Sequence, residues 1–222
     1  NKFSVGTILD YSVEGEDDEQ SFDATEKEIL DSISYAGLHK NEIPFSVFKV
    51  TGIGSRDLLT KVQLANEPLS DLEQQNWDNF IKRFEFICKK AAESEIRLFI
   101  DAEESWIQSV IDRLVLDMME KYNIDGQTFI FNTYQLYRNE GLGILMQHIS
   151  KAKTKGFKIG AKLVRGAYME KERRRAQEMN YPDPINENKA KTDEQFNLAL
   201  EACIDHIDIV SVCSGTHNEA SC

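Results

Sequence analysis

Basic residues are scarce in this sequence: 26 Lys and Arg face 38 Asp and Glu, a net charge of −12. A surface this acidic repels phosphate backbones, and no stretch gathers a basic face wide enough to compensate, which weighs against nucleic acid as a partner. Long apolar runs are missing as well. None approaches the roughly 20 residues needed to cross a bilayer, and the opening NKFSVGTILDY lacks the zones of a secretory signal, so a soluble protein is expected. Only 4 cysteines occur, Cys88, Cys203, Cys213 and Cys222, without CxxC spacing; they read as packing thiols in a reducing compartment. No Pro-rich linker, repeat or low-complexity segment breaks the chain, so residues 1–222 are expected to form one domain. There is no GxSxG around a serine and no GxxxxGK[ST] phosphate loop. His39 and His148 read as surface residues, and His217 has no second ligand at metal spacing, so no metal is expected.

Six short apolar runs rich in β-branched and aromatic residues are present: Val5 to Tyr11, Phe45 to Thr51, Arg97 to Glu103, Thr128 to Tyr134, Lys158 to Gly166 and Ile207 to Thr216. Near-continuous apolar character marks strands buried on both faces, as in parallel sheets. Helical stripes lie between them. Trp77, Phe80, Ile81, Phe84, Ile87, Cys88 and Ala91 follow the cap Ser70, and Trp106 to Met118 follow Ser105. A third stripe runs from Leu142 to Ala152; weaker helices are expected from about Ser21 to Ala36 and, behind Thr192 as a cap, from Asp193 to Cys203. Strict alternation implies right-handed crossovers in an α/β fold. A doubly wound sheet would want a glycine-rich turn after the first strand, and Tyr11 is followed instead by the acidic SVEGEDDE. A (β/α)₈ barrel is therefore expected, incomplete at about six of the eight units, since 222 residues fall short of the roughly 250 of a full barrel.

Barrel sites form at strand C-termini, and polar residues collect there: Lys49; Asp101, Glu103 and Glu104; Asn132 and Gln135; Arg165 and Tyr168; Thr216, His217 and Asn218. Lys49 interrupts an apolar run, on the face of Val47 and Thr51. It can pair internally with Asp101 or bind a substrate carboxylate, and the two roles are compatible. Glu103 and Glu104 precede a helix and read as capping acids. Gly166 reads as a strand-end turn.

KLVRGAYMEKER (Lys162 to Arg173) resembles the flavin-dependent proline dehydrogenases, as do DAEE from Asp101, IFNTYQLY from Ile130, YPDPI from Tyr181 and THNE from Thr216. The five matches fall in the family's order and are similar to its single-function members. The resemblance implies FAD at the mouth of the barrel, hydride transfer from C5 of L-proline to flavin N5 giving Δ1-pyrroline-5-carboxylate, and a quinone as electron acceptor. It implies that Lys49 contacts the proline carboxylate, that Asp101 orders the pocket beside it, and that Tyr168 walls the ring. Gln135 and Lys162 would hydrogen-bond the isoalloxazine, and Val164 would meet it through its main chain. Gly166 would let the backbone approach that flat ring, and Arg165, Thr216, His217 and Asn218 would hold more distant parts of the cofactor.

Members of the family end in two further strands and a helix with paired arginines, and nothing like it follows Asn218, so a chain truncated at the C-terminus is expected, weak in flavin binding and turnover by itself. A cytoplasmic location is expected, with room for peripheral membrane contact. Two rival readings are a lyase or aldolase that forms a Schiff base at Lys49, and an inactive fragment whose open sheet edges make it an assembly module.

Overall fold

The computed structural model describes residues 5–10 and 18–221. The expectations resting on Tyr11, on most of the acidic run Glu14 to Glu19 and on Cys222 lie outside them. Contacts divide the chain into two compact units, Asn1–Met118 and Met119–Cys222.

The first unit runs β1 (Ile8–Asp10), α1 (Glu19–Leu38), β2 (Phe45–Lys49), a 3-10 turn (Val50–Gly52), α2 (Arg56–Leu64), α3 (Asp71–Glu93) and β3 (Arg97–Asp101), and α4 (Ser105–Tyr122) begins in it. Its strands are parallel and lie in chain order, with Asp10 opposite Val47 and Lys49 opposite Asp101. The order shows no reversal, as a barrel-type sheet requires and a doubly wound switch point would not. Helix α3 starts where expected: Ser70 accepts from the Glu73 N–H while the Glu73 carboxylate takes the Ser70 N–H, a complete capping box. Its stripe buries Phe80, Phe84, Ile87, Cys88 and Ala91, and Phe84 meets Phe48 of β2 edge-on at 6.0 Å. Each buried ring adds roughly 2 to 3 kcal/mol.

Two features of this unit differ from expectation. Helix α1 begins two residues earlier than expected, because Asp18 supplies the cap by accepting from the Ser21 N–H. Helix α2 was not expected at all. Nine residues with one buried side chain, Leu59, leave no stripe to read, and the Ser55 cap and packing hold it.

The second unit holds the end of α4, then β4 (Ile130–Gln135), α5 (Gly141–Lys155), β5 (Ile159–Val164), α6 (Met169–Met179), α7 (Lys189–Asp205) and β6 (Val210–Ser214). These strands are again parallel and in chain order. All six residues of β4 are buried, the polar Asn132, Thr133 and Gln135 included. Helix α7 is capped by Asn188, not by Thr192 as expected; Asn188 accepts from the Lys191 N–H, and Thr192 is buried one turn later. The same signal, a polar residue before an apolar run, occurs twice within five residues, and the first is the one with extended backbone.

His148 is also corrected. It is half-buried on α5, with Nδ1 2.8 Å from the Tyr134 hydroxyl, and burial, helped by Lys151, holds its pKa down to about 4. His39 is exposed at the end of α1. At the N-terminal ends of β4 and β5, the buried Asn123 side chain accepts from the N–H groups of Phe129 and Ile130 and donates to the carbonyls of Ile130 and Lys158.

Candidate functional site

Each strand places its last residues where the polar set was expected. In the first unit β2 ends on Lys49 and β3 on Asp101, directly opposite each other in the ladder. Both share a face with Val47 and Phe99, the next rung down, and the rings of Phe45 and Phe99 stack at 4.4 Å beneath. A cation and a carboxylate thus stand side by side, half-buried, on an apolar floor.

Glu103 and Glu104 are not solvated capping acids. Both are buried, at 1% and 0% exposure, and both turn back to the segment after β2. The Glu103 carboxylate accepts from the Thr51 N–H at 2.9 Å and from the Thr51 hydroxyl at 2.5 Å, while Glu104 lies 3.5 Å from the Arg56 guanidinium. Burial pushes the Glu103 carboxyl up to about 7, outweighing the two Thr51 bonds; Glu104 raises it further and Arg56 opposes. The sequence signal for a capping acid is local, whereas these partners are about fifty residues away.

In the second unit, register places Gln135 opposite Val164, and Lys162 opposite both Thr133 and Cys213. Period-2 alternation then puts Thr133, Gln135, Lys162, Val164 and Cys213 on one face. Gln135 is buried, whereas Lys162 and Val164 are half-buried, so an amide and an ammonium project from one face at adjacent strand ends. Gly215 fits close behind them: a Cβ there would lie 3.0 Å from both the Leu163 carbonyl oxygen and a Val164 methyl.

Arg165, the first residue past β5, gathers the next group. Its Nε donates to Asp193 at 2.6 Å, one terminal nitrogen to the Thr216 hydroxyl at 2.6 Å and the other to the Ser221 hydroxyl at 3.1 Å. Its plane lies 4.5 Å from the Phe196 ring centre. Lys189 and then Arg165 lower the Asp193 carboxyl below its usual range. The Asn218 N–H donates to the Thr216 hydroxyl at 3.0 Å, so Arg165, Thr216 and Asn218 form one cluster. His217 is exposed beside it. Asp193 and Ser221 were not singled out from the sequence; they come from a helix and a chain end with no motif of their own.

Gly166 is more than a turn. Its φ is +135°, and a Cβ would lie 2.3 Å from the Tyr137 ring, so backbone conformation and ring contact both require glycine. Tyr168 follows at the start of α6, and Arg165, Gly166, Tyr168, Tyr137 and Asn186 line a cavity of about 1100 Å³. Among the described residues no helix is long and apolar enough to cross a membrane.

The proline dehydrogenase family model matches residues 1–222. Mitochondrial proline dehydrogenase 1 of Drosophila melanogaster is 40% identical over 141 residues, covering 64% of this chain and 21% of the fly protein. The mitochondrial proline dehydrogenase 1 of Caenorhabditis elegans is 36% identical over 178 residues, covering 78% and 28% respectively. The chain thus spans 21% and 28% of the length of these two relatives. Proline utilization A (PutA) from Bdellovibrio bacteriovorus, solved after inactivation by N-propargylglycine, superposes with a TM-score of 0.82 at 14% identity, over 99% of this chain and 24% of that one. That likeness shows the fold, an α/β fold of the (β/α)₈ barrel type, with six strands among the described residues. The expected cytoplasmic location does not stand, because the fly and worm relatives are both named as mitochondrial. Parallel strands within each unit, four of the five motifs at strand ends and a family match from first residue to last lead to one conclusion: the chain belongs to the proline dehydrogenase family, which implies a flavin cofactor.

Proposed function

We propose that this chain supplies the flavin-binding strand ends, and the first half of the substrate pocket, of a mitochondrial enzyme that oxidises L-proline to Δ1-pyrroline-5-carboxylate, the first step of proline catabolism. The observation that carries this reading is the ladder geometry: Lys49 beside Asp101 in one unit, and in the other Gln135 beside Val164, with Lys162 two residues earlier on the same face. The cofactor would be FAD, which when bound would supply the acceptor for the hydride of proline C5 and the route for its electrons to a quinone.

The residues fit that cofactor. An isoalloxazine offers ring nitrogens and carbonyl oxygens as acceptors and gains negative charge on reduction, and the Gln135 amide and the Lys162 ammonium are the donors such a ring wants. Val164 offers main chain where the Gly215 neighbour adds no bulk. Arg165 is engaged with Asp193 and Ser221 and holds the Thr216 to Asn218 segment in place, with His217 facing outward beside it. On the substrate side, the first unit offers Lys49 to the proline carboxylate, with Asp101 keeping that ammonium oriented; in the second unit Tyr168 offers an aromatic face. As the hydride leaves C5, the ring nitrogen gives up its proton and the C=N bond forms. Hydride transfer needs no nucleophile, so the Schiff-base role for Lys49 is not favoured.

The test uses the full-length protein that carries this chain. It should purify with flavin absorption bands that bleach when proline is added. Lys49→Met should raise the proline KM about 100-fold, the worth of a buried charge-assisted pair, and leave those bands unchanged. A colourless protein, or a variant with an unaltered KM, would overturn the assignment.

A further inference from the structure

Lys49 and Asp101 form the last rung of the β2–β3 ladder. Beyond it β2 leaves the sheet in the turn Val50–Gly52, and β3 runs into irregular chain at Ala102. A parallel pair that ends on its functional residues is free to splay there. It does not, because Thr51 and Glu103, each two residues beyond the last rung, remain joined. The Thr51 N–H and hydroxyl both donate to the Glu103 carboxylate, at 2.9 and 2.5 Å. A side chain thus makes the bond that the next backbone rung would have made.

The clamp is fixed in its turn. The Glu103 N–H donates to Gln108 Oε1 at 2.7 Å, and Gln108 Nε2 donates to Asp112 at 2.8 Å. Thr51, Glu103 and Gln108 are all at 2% exposure or less, so water does not compete for these bonds. Backbone shifts of about 1 Å can cost on the order of 100-fold in function, and Lys49 has Thr51 as its nearest anchor on that side.

We infer that Glu103 is a positioning residue for the substrate pocket, setting the separation of Lys49 and Asp101 by gripping Thr51 in place of a backbone rung. This rests on the reading of Lys49 given above. The carboxylate is not needed for its charge: protonated, it keeps one oxygen for the Thr51 N–H and gives its own proton to the Thr51 hydroxyl. A carboxamide can do the same.

The experiment compares Glu103→Ala, Thr51→Val and Glu103→Gln in the full-length, flavin-loaded protein, with Lys49→Met as reference. Glu103→Ala should raise the proline KM about tenfold and Thr51→Val about threefold, because one removes both grips and the other removes one. Flavin content and the visible spectrum should match the parent, and Glu103→Gln should restore KM to within about twofold. A purely structural role would lower the melting temperature of Glu103→Ala and leave KM alone. Unaltered KM in flavin-loaded Glu103→Ala and Thr51→Val, with Lys49→Met impaired, overturns this inference only. An unaffected Lys49→Met overturns the pocket assignment and this inference with it. Should Glu103→Ala fail to fold, Thr51→Val decides, and a parental KM in that variant overturns the clamp.

Discussion

Past β3 the strand end is held by a carboxylate, Glu103, sealed from water and gripping one backbone N–H and one hydroxyl. Past β5 the holder is a guanidinium, Arg165, whose side chain is 22% exposed and which reaches Asp193, Thr216 and Ser221 at once. The dry holder has few partners, and each counts for much, because nothing replaces a lost bond in a buried site. The wet one spreads its hold over several partners, and solvent can stand in for any of them. The Glu103 end is therefore strong but exposed to a change of protonation, while each bond at the Arg165 end is weaker.

The largest expected effect separates the two ends by pH. Burial raises the Glu103 carboxyl from 4.5 in the unfolded chain to about 7 in the folded one, so the folded state binds the proton more tightly. That contribution to stability is fully present below about pH 4.5 and is lost as pH rises through about 7, on the order of 3 kcal/mol in all. Glu103→Gln, which never ionises, should melt progressively higher than the parent as pH goes from 5 to 8, by on the order of 10 °C at the upper end. A gap that stays constant across that range would show that Glu103 does not titrate there, and the dry holder would lose its sensitivity to protonation.

Gly166→Ala comes next. It forces a side chain onto φ +135° and into the Tyr137 ring, at a cost of about 2 kcal/mol, readable as an earlier urea midpoint. An unmoved midpoint would mean that the backbone beside Arg165 relaxes freely. The smallest effect is at Arg165. Arg165→Ala should lose only about 1 kcal/mol, and Arg165→Lys should recover little of it, because an ammonium cannot fork to Asp193, Thr216 and Ser221 together. A loss comparable with that of a buried clamp would sink the distinction between the two ends.

The sequence made some of this legible and hid the rest for physical reasons. Strands β2 to β6 stand where runs rich in β-branched and aromatic residues were read, since a mostly buried strand is mostly apolar, and Ser70 with Glu73 announced α3 because a capping box is a local code. Lys49, Asp101 and Gln135 were read from one simple contrast, a polar residue at the end of an apolar strand, whereas Lys162 came only with the family resemblance. Helix α2 was invisible because it buries only Leu59. Glu103 and Glu104 were misread because acids before a helix look the same whether they cap it or reach Thr51 and Arg56. The mitochondrial names of the relatives had no counterpart in the residues read.

Asn123 lies at the N-terminal ends of β4 and β5, away from the chemistry. Its amide satisfies two N–H groups and two carbonyls, and no other residue type brings two donors and two acceptors on so short a stem. Aspartate would set an acceptor against two carbonyls; leucine would leave four backbone groups unanswered. Were the activity proposed above scored by growth on proline, a library of variants would mark position 123 as intolerant as position 49, for reasons that have nothing to do with substrate. Intolerance in this chain therefore has two origins, and only a readout of folded protein alongside turnover tells them apart.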